Sequence, residues 1–201
     1  MAAIDIFPVK IYKTKFSGDI ESLKNNIVPK LQECYNKTTE FNQDSMRGDG
    51  LCSYNVMRDL HTWPELKPIV DFLNEHAWNY WQAIGYDINQ RPGVYEMWSN
   101  IYKHDAFIDA HTHAPIHMTA SFYLQMPANG GNIVFEHPNT ILMKHQPYGF
   151  DKTRYGQTFE HEITVETGDV IFFPGWLTHK TKPNLSNEDR IIIGSNICNV
   201  V

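Results

Sequence analysis

The sequence has few cysteines, no excess of basic residues and no long apolar run, and each absence argues against a class of protein. Its three cysteines, Cys34, Cys52 and Cys198, form no Cys-x-x-Cys pair, which argues against a disulfide framework or a cysteine-rich zinc site and is typical of reduced, intracellular proteins. Lys and Arg number 17 against 23 Asp and Glu, so the broad basic surface of a nucleic-acid binder is lacking. No apolar run reaches the ~18–20 residues that a membrane span needs.

The composition and the first residues indicate a folded, cytoplasmic chain. No basic stretch precedes an apolar segment at the start, as it would in a secretory signal. Hydrophobic residues make up 42% and aromatic residues 13% of the 201 residues, enough for a substantial core. This length suits a single domain over 1–201. Within it we expect a helical or mixed supporting region over 1–90 and a strand-rich core over 91–201.

Helical patterns are concentrated in the supporting region. An edge strand is predicted over 4–16, followed by a helix from Asp19 with apolar residues three and four positions apart. Thr62 and Glu65 form a capping-box pattern ahead of a second helix. Its apolar stripe, which must be buried, comprises Leu66, Ile69, Val70, Leu73, Ala77, Trp78 and Trp81.

The rest of the chain predicts short antiparallel strands. Turn sequences separate the apolar segments at a spacing typical of a sandwich or jelly roll. We therefore expect a mainly β chain with flanking helices: a double-stranded β-helix (jelly roll) with the N-terminal α-helices packed on one sheet, and the polar loop 144–157 at its mouth. The predicted strands are 94–101, 118–125, 132–135, 160–165, 170–173 and 190–198.

The histidines predict a metal site. His111 and His113 are two residues apart, so on a strand both rings would project from one face, but ten histidines make such a pair common by chance. The segment 168–179 adds weight, because a Gly-Asp turn and an apolar strand lead to His179. Two ligands close together in the sequence and a third far along the chain are typical of a catalytic metal site that leaves coordination positions open.

Arg190 stands at the head of the apolar run Ile191-Ile192-Ile193, so its guanidinium is expected near the core. A buried charge without a partner is costly. Two acidic partners are open: an Asp or Glu of the protein, or a ligand carboxylate held by two parallel hydrogen bonds.

Taken in order, these motifs resemble the Fe(II)/2-oxoglutarate-dependent oxygenases, and more narrowly a small subfamily of bacteria and tailed phages. The resemblance is carried by His-x-His, Gly-Asp-Val-Ile-Phe-Phe-Pro at 168–174, His179 and Arg190, and it extends from about residue 97 to 196. It implies Fe(II) and 2-oxoglutarate as cofactor and cosubstrate, with His111 and His179 as iron ligands. It also implies that Arg190 binds the distal carboxylate of 2-oxoglutarate.

The resemblance assigns further residues to this pocket. Tyr123 matches a tyrosine that often hydrogen-bonds 2-oxoglutarate in the family, and Tyr102 and Asn100 lie where the preceding strand lines the pocket. Either tyrosine could instead be a core residue.

The third iron ligand departs from the family pattern, which has Asp or Glu two residues after the first histidine. We take His113 as this ligand. His117 is the alternative and Asp109 a weaker one, because on a regular strand both would project from the same face as His113.

The activity implied is that of a dioxygenase that hydroxylates a C–H bond of an unidentified substrate, a peptidyl residue such as proline or a small molecule, and releases succinate and CO2. The expected partners are 2-oxoglutarate, dioxygen and that substrate, without nucleic acid or membrane. No catalytic residue beyond the metal ligands is predicted, and a homodimer is allowed without being indicated. Two other interpretations are a cupin-type metalloprotein with a His-only site and a non-catalytic jelly-roll binding module.

Overall fold

The computed structural model describes residues 8–37, 45–139 and 159–199, and strands predominate in them. The predicted loop at 144–157 lies outside the described residues. The helices are α1 (Ile20–Asn36) and α2 (Lys67–Ala83). The strands are β1 (Tyr12–Lys15), β2 (Met46–Arg47), β3 (Gly50–Cys52), β4 (Pro92–Tyr102), β5 (Phe107–Ile108), β6 (Met118–Gln125), β7 (Ile133–Glu136), β8 (Glu160–Ile163), β9 (Asp169–Pro174), β10 (His179–Thr181) and β11 (Arg190–Asn199).

The strands form antiparallel sheets. The larger sheet has six strands in the order β1-β9-β6-β11-β4-β3, the smaller has the order β10-β7-β8, and β2 pairs with β5. Neighbouring strands in each are antiparallel. The prediction of a mainly β chain built from antiparallel sheets is confirmed.

The two faces of the six-stranded sheet differ because side chains alternate along each strand. On β11, Ile191, Ile193 and Ile197 belong to one buried cluster, whereas Ile192 belongs to another. The first cluster also contains residues of both helices: Leu23, Ile27, Leu31, Ile69, Leu73 and Ala77. The second joins the six-stranded sheet to β7 and includes Trp98, Tyr102, Tyr123, Phe173, Ile133 and Phe135.

The helices begin differently from each other. At α1 the carboxylate of Asp19 accepts a hydrogen bond from the backbone N–H of Ser22 at 2.9 Å, so its predicted start is confirmed. The capping box at Thr62 is wrong: its hydroxyl donates to the carbonyl of Asp59 at 2.8 Å within a 3₁₀ turn. Trp63 is extended because it precedes a proline, which disfavours helical geometry there. No helix among the described residues is long and apolar enough to span a membrane.

Candidate metal centre

Three histidine side chains from two separate segments meet beside the second cluster. The nitrogen atoms with which His111, His113 and His179 could bind a metal all lie within 4.8 Å of one another. His111 and His179 form an isolated antiparallel bridge, with N–H to O distances of 3.0 and 3.1 Å in the two directions. The backbone N–H of His113 donates to the carbonyl of Gly175 at 2.7 Å. The fold therefore brings the three predicted ligands together.

The expectation that His111 and His113 lie on a regular strand is wrong. Only His111 takes part in a bridge, and the chain turns after it, since the carbonyl of His113 accepts from the backbone N–H of Ile116 at 2.8 Å. The rings converge because the backbone of His111 is hydrogen-bonded to that of His179, and the backbone of His113 to that of Gly175. The alternation of side chains along a strand is not the cause.

Each of the three rings uses one nitrogen for a hydrogen bond within the protein. Nδ1 of His111 lies 2.8 Å from the carbonyl of Asp109, and Nδ1 of His179 lies 3.0 Å from that of Leu177. Nδ1 of His113 lies 2.9 Å from Oδ1 of Asn196. A carbonyl oxygen only accepts, so Nδ1 carries the hydrogen and Nε2 keeps its lone pair for a metal.

Burial keeps these rings uncharged at neutral pH. It lowers the pKa of His113 to about 4, with a further contribution from the neighbouring His111. The pKa of His111 is lowered by burial, and that of His179 is lowered well below its usual value by burial and by the other two rings. Neutral imidazole is the form that binds metals.

The two alternative ligands lie outside this group. His117 is exposed and its ring contacts Trp81 and Tyr86, at centroid distances of 5.6 and 6.0 Å. The carboxylate of Asp109 pairs with Arg47 at 2.6 Å.

A pocket opens beside the three rings and is lined by the central strands of the larger sheet. Asn100 on β4 and Tyr123 on β6 both lie opposite Ile192 of β11, so their side chains share one face. Tyr102 lines the same pocket two residues further along β4. Sequence reasoning did not assign the other lining residues from these strands, namely Trp98, Thr119, Ser121, Ile192 and Gly194.

Arg190 is fully buried and does not itself line this pocket, but it contacts Tyr102 and Thr181, which do. Its Nη1 donates to the carbonyls of Gly130, Gly131 and Lys182 at 2.5, 2.6 and 2.9 Å, and its Nη2 donates to Thr181 at 3.0 Å. Among the described residues no carboxylate lies within ion-pair distance, so the first of the two partners left open by the sequence, an Asp or Glu of the protein, is not found there, and neutral oxygens surround the guanidinium. The guanidinium lies 3.9 Å from the ring centroid of Tyr102, which faces the pocket.

Gly131 makes this arrangement around Arg190 possible. Its φ is +81°, and a Cβ there would lie 2.7 Å from Nη1 of Arg190 and 2.3 Å from the carbonyl oxygen of Lys182. A side chain would therefore both strain the backbone and displace the guanidinium.

Buried polar atoms around the pocket lack partners. Tyr123 Oη, Asn100 Oδ1 and Arg190 Nε have no hydrogen-bond partner among the described residues. Burial raises the pKa of Tyr123, so its hydroxyl remains a donor. An unpaired buried polar group is costly. Tyr123 Oη and Arg190 Nε are donors, and beside the charge of the guanidinium they suit an anionic ligand, whereas Asn100 Oδ1 is an acceptor. The residues present thus fit a metal with an anionic chelator.

Trp98 supports His113 from the sheet. The indole stacks on the imidazole with centroids 5.5 Å apart and planes 25° apart, and it occupies the space left by Gly194 on the next strand. Glycine is needed at this point because any larger residue would place its Cβ against the indole.

Replacing Gly194 by alanine is expected to destabilise the protein by about 1–3 kcal/mol, the usual effect of overpacking a core. The added Cβ would lie 2.6 Å from two indole atoms of Trp98. Urea unfolding measures the change. Combining Gly194→Ala with Trp98→Leu removes the overlap, so the double variant is expected to lose less free energy of unfolding than the sum of the losses in the two single variants. A loss equal to that sum would contradict this explanation.

Comparisons with known proteins identify a family and similar folds. A family model described as "Putative 2OG-Fe(II) oxygenase" matches residues 96–196. No curated protein matches the chain in sequence. Among solved structures, a prolyl-4-hydroxylase of Pseudomonas putida is similar, with a TM-score of 0.62 and 12% identity over 96% of this chain and 94% of that one.

Two further solved structures share the fold. HygX from Streptomyces hygroscopicus, solved with nickel and 2-oxoglutarate, has a TM-score of 0.61 and 11% identity over 96% of this chain and 84% of that one. A viral collagen prolyl hydroxylase from Paramecium Bursaria Chlorella virus-1, in complex with 2OG, has a TM-score of 0.56 and 15% identity over 94% and 96%.

Proposed function

Because the chain belongs to the 2OG-Fe(II) oxygenase family, and is therefore an enzyme that depends on Fe(II) and 2-oxoglutarate, we propose that His111, His113 and His179 hold its iron. The observation that carries this assignment is the convergence of three neutral rings, each with Nδ1 already hydrogen-bonded and Nε2 free. Three protein ligands leave coordination positions open for the cosubstrate and dioxygen.

Arg190 is proposed to bind the distal carboxylate of 2-oxoglutarate. It is a fully buried cation with only neutral partners among the described residues and with an unpaired Nε. A carboxylate entering the pocket would supply the missing negative charge and accept that hydrogen bond. The hydroxyl of Tyr123 would donate a second bond, while Tyr102 and Asn100 line the same space.

The bound iron supplies the activation of dioxygen, coupled to decarboxylation of 2-oxoglutarate to succinate and CO2. The chain's own part is positioning and shielding. The two bridged backbones hold His111 and His179 in place, and Arg190 fixes the cosubstrate's orientation and so the position left open for dioxygen. The proposed net reaction is hydroxylation of a substrate C–H bond, in which one oxygen atom enters the product and the other enters succinate.

The substrate proposed is a peptidyl residue such as proline or a small molecule. The likeness to two prolyl hydroxylases supports the first class, and HygX, which has also been solved with hygromycin B, supports the second. The chain is proposed to act as one domain, because α1, α2 and the six-stranded sheet share a buried cluster.

Anaerobic titration with Fe(II) and then 2-oxoglutarate tests the proposed function. A visible charge-transfer band that needs both is expected, followed on admission of air by release of succinate. Metal binding without the band would favour a cupin-type metalloprotein, and no metal binding would contradict the iron site altogether.

A further inference from the structure

A row of hydrogen-bonded side chains reaches His113 from the larger sheet. Oδ1 of Asn196 lies 2.9 Å from Nδ1 of His113, and Nδ2 of Asn196 donates to Oε1 of Glu96 at 2.7 Å. Thr119 also donates to Oδ1 of Asn196, at 3.2 Å. Glu96, Asn196 and Thr119 lie opposite one another on β4, β11 and β6. The register of three adjacent strands therefore builds the row.

The partners in this row determine its direction. A carboxylate only accepts hydrogen bonds, so the NH2 end of the Asn196 amide faces Glu96. The amide oxygen then faces His113, and since that oxygen also only accepts, Nδ1 of His113 must be the donor. Nε2 is left with its lone pair, which is the tautomer that a metal at this site requires.

His113 depends on this row in a way that the other two rings do not. His111 and His179 bond to backbone carbonyls, which can only accept. The partner of His113 is an amide that could present either end, and Glu96 is what selects the end. The side chain of Glu96 is 12% exposed and also lies 3.5 Å from both Arg58 Nη1 and Tyr54 Oη, two further donors that keep it in the accepting role.

We propose that Glu96 and Asn196 are positioning residues for the metal: Glu96 orients the amide of Asn196, which fixes His113 as an Nε2 ligand and strengthens it. This inference rests on the proposed iron site but not on 2-oxoglutarate. A hydrogen-bonded row ending in a carboxylate polarises the amide, which makes Nε2 of the imidazole more basic and therefore a stronger metal ligand. His113 stands where the family pattern has a carboxylate, so Glu96 places a negative charge one amide away from that position.

The tautomer of His113 in the metal-free protein is the first measurement. Imidazole ¹⁵N chemical shifts report which ring nitrogen carries the proton. Wild type is expected to show the proton on Nδ1. In Glu96→Gln the partner can donate as well as accept, so the Asn196 amide can turn and His113 is expected to show both tautomers.

Metal affinity is the second measurement, made with Co(II) in the absence of 2-oxoglutarate. Glu96→Gln is expected to bind Co(II) about 10–100-fold more weakly, the range for loss of an outer partner of a ligand. The double variant Glu96→Gln/Asn196→Asp is expected to restore both the tautomer and the affinity, because a carboxylate then accepts directly from His113 and the new glutamine can donate to it. Glu136→Gln, at a largely buried carboxylate paired with Lys180, is the matched control and is expected to bind like wild type.

Three outcomes would overturn the inference: Glu96→Gln keeping the wild-type tautomer and affinity, the double variant staying as weak as Glu96→Gln, or the control losing as much. If Glu96→Gln does not fold, the double variant alone decides, since it must match wild type in both measurements. Co(II) binding that responds as expected, without any 2-oxoglutarate-dependent band with Fe(II), would remove the proposed function and leave this inference standing.

Discussion

Replacing His179 by alanine is expected to lower metal affinity by more than the ~10–100-fold that loss of an outer partner costs, and to abolish the band formed with 2-oxoglutarate. The change removes one of three nitrogens that lie within 4.8 Å of one another, at a buried position. Calorimetric titration with Co(II) measures the affinity, and anaerobic Fe(II) spectra measure the band.

His117→Ala is the matched control for His179→Ala. The ring of His117 is exposed and lies against Trp81 and Tyr86, outside the group of three. Metal affinity at the wild-type level is expected. A loss as large as that of His179→Ala would make His117 a ligand and would contradict the assignment of His113.

Replacing Arg190 by alanine is expected to raise the concentration of 2-oxoglutarate needed for half-saturation by about 30-fold to several thousand-fold. This corresponds to the ~2–5 kcal/mol lost when one partner of a buried charge pair is removed. Iron affinity is expected to stay largely intact, because Arg190 has no hydrogen bond to any of the three histidines. Titration of the charge-transfer band with 2-oxoglutarate at saturating Fe(II) measures the effect.

Two further variants separate binding from structure at Arg190. Arg190→Lys keeps the charge but loses the planar pair of donors, so an intermediate loss is expected. Arg91→Ala, at a cation that packs on the Trp78 ring at 5.1 Å, should leave 2-oxoglutarate binding unchanged. Arg190 also donates to the carbonyls around Gly131, so its replacement is expected to lower the stability of the fold. Binding is therefore measured at a temperature well below the Tm of each variant. Equal loss of iron and 2-oxoglutarate affinity would show that Arg190 is only structural.

The long strands could be predicted from the sequence, and the short ones could not. The predicted ranges 118–125 and 190–198 correspond to β6 and β11 within one residue, since β-branched and aromatic runs bounded by turns carry that signal locally. The strands β2, β3, β5 and β10 have two or three residues each. Their existence depends on the strand against which they pair, which is not a local property.

The same distinction applies to the site. His111, His113 and His179, which the structure brings together, could be singled out because the order of motifs along the chain carries information without any knowledge of the fold. Glu96 and Asn196 were missed because they lie 100 positions apart in the sequence and only strand register makes them neighbours. Their positions on β4 and β11 are an even number of residues from those that line the pocket, but this alone does not show that the two side chains meet. The neutral partners of Arg190 could not be predicted, because backbone carbonyls, which supply three of its four acceptors, have no signature in a sequence.

The reciprocal backbone bonds between His111 and His179 bear on which metal the protein carries in a cell. These bonds join backbone groups, so they hold the two residues next to each other without using the imidazole nitrogens that a metal would bind. A site of imidazoles accepts zinc, copper and nickel as well as iron, and copper and nickel bind such ligands more tightly than Fe(II) does. Which ion occupies such a site is then governed by the supply of free ions as well as by the ligands.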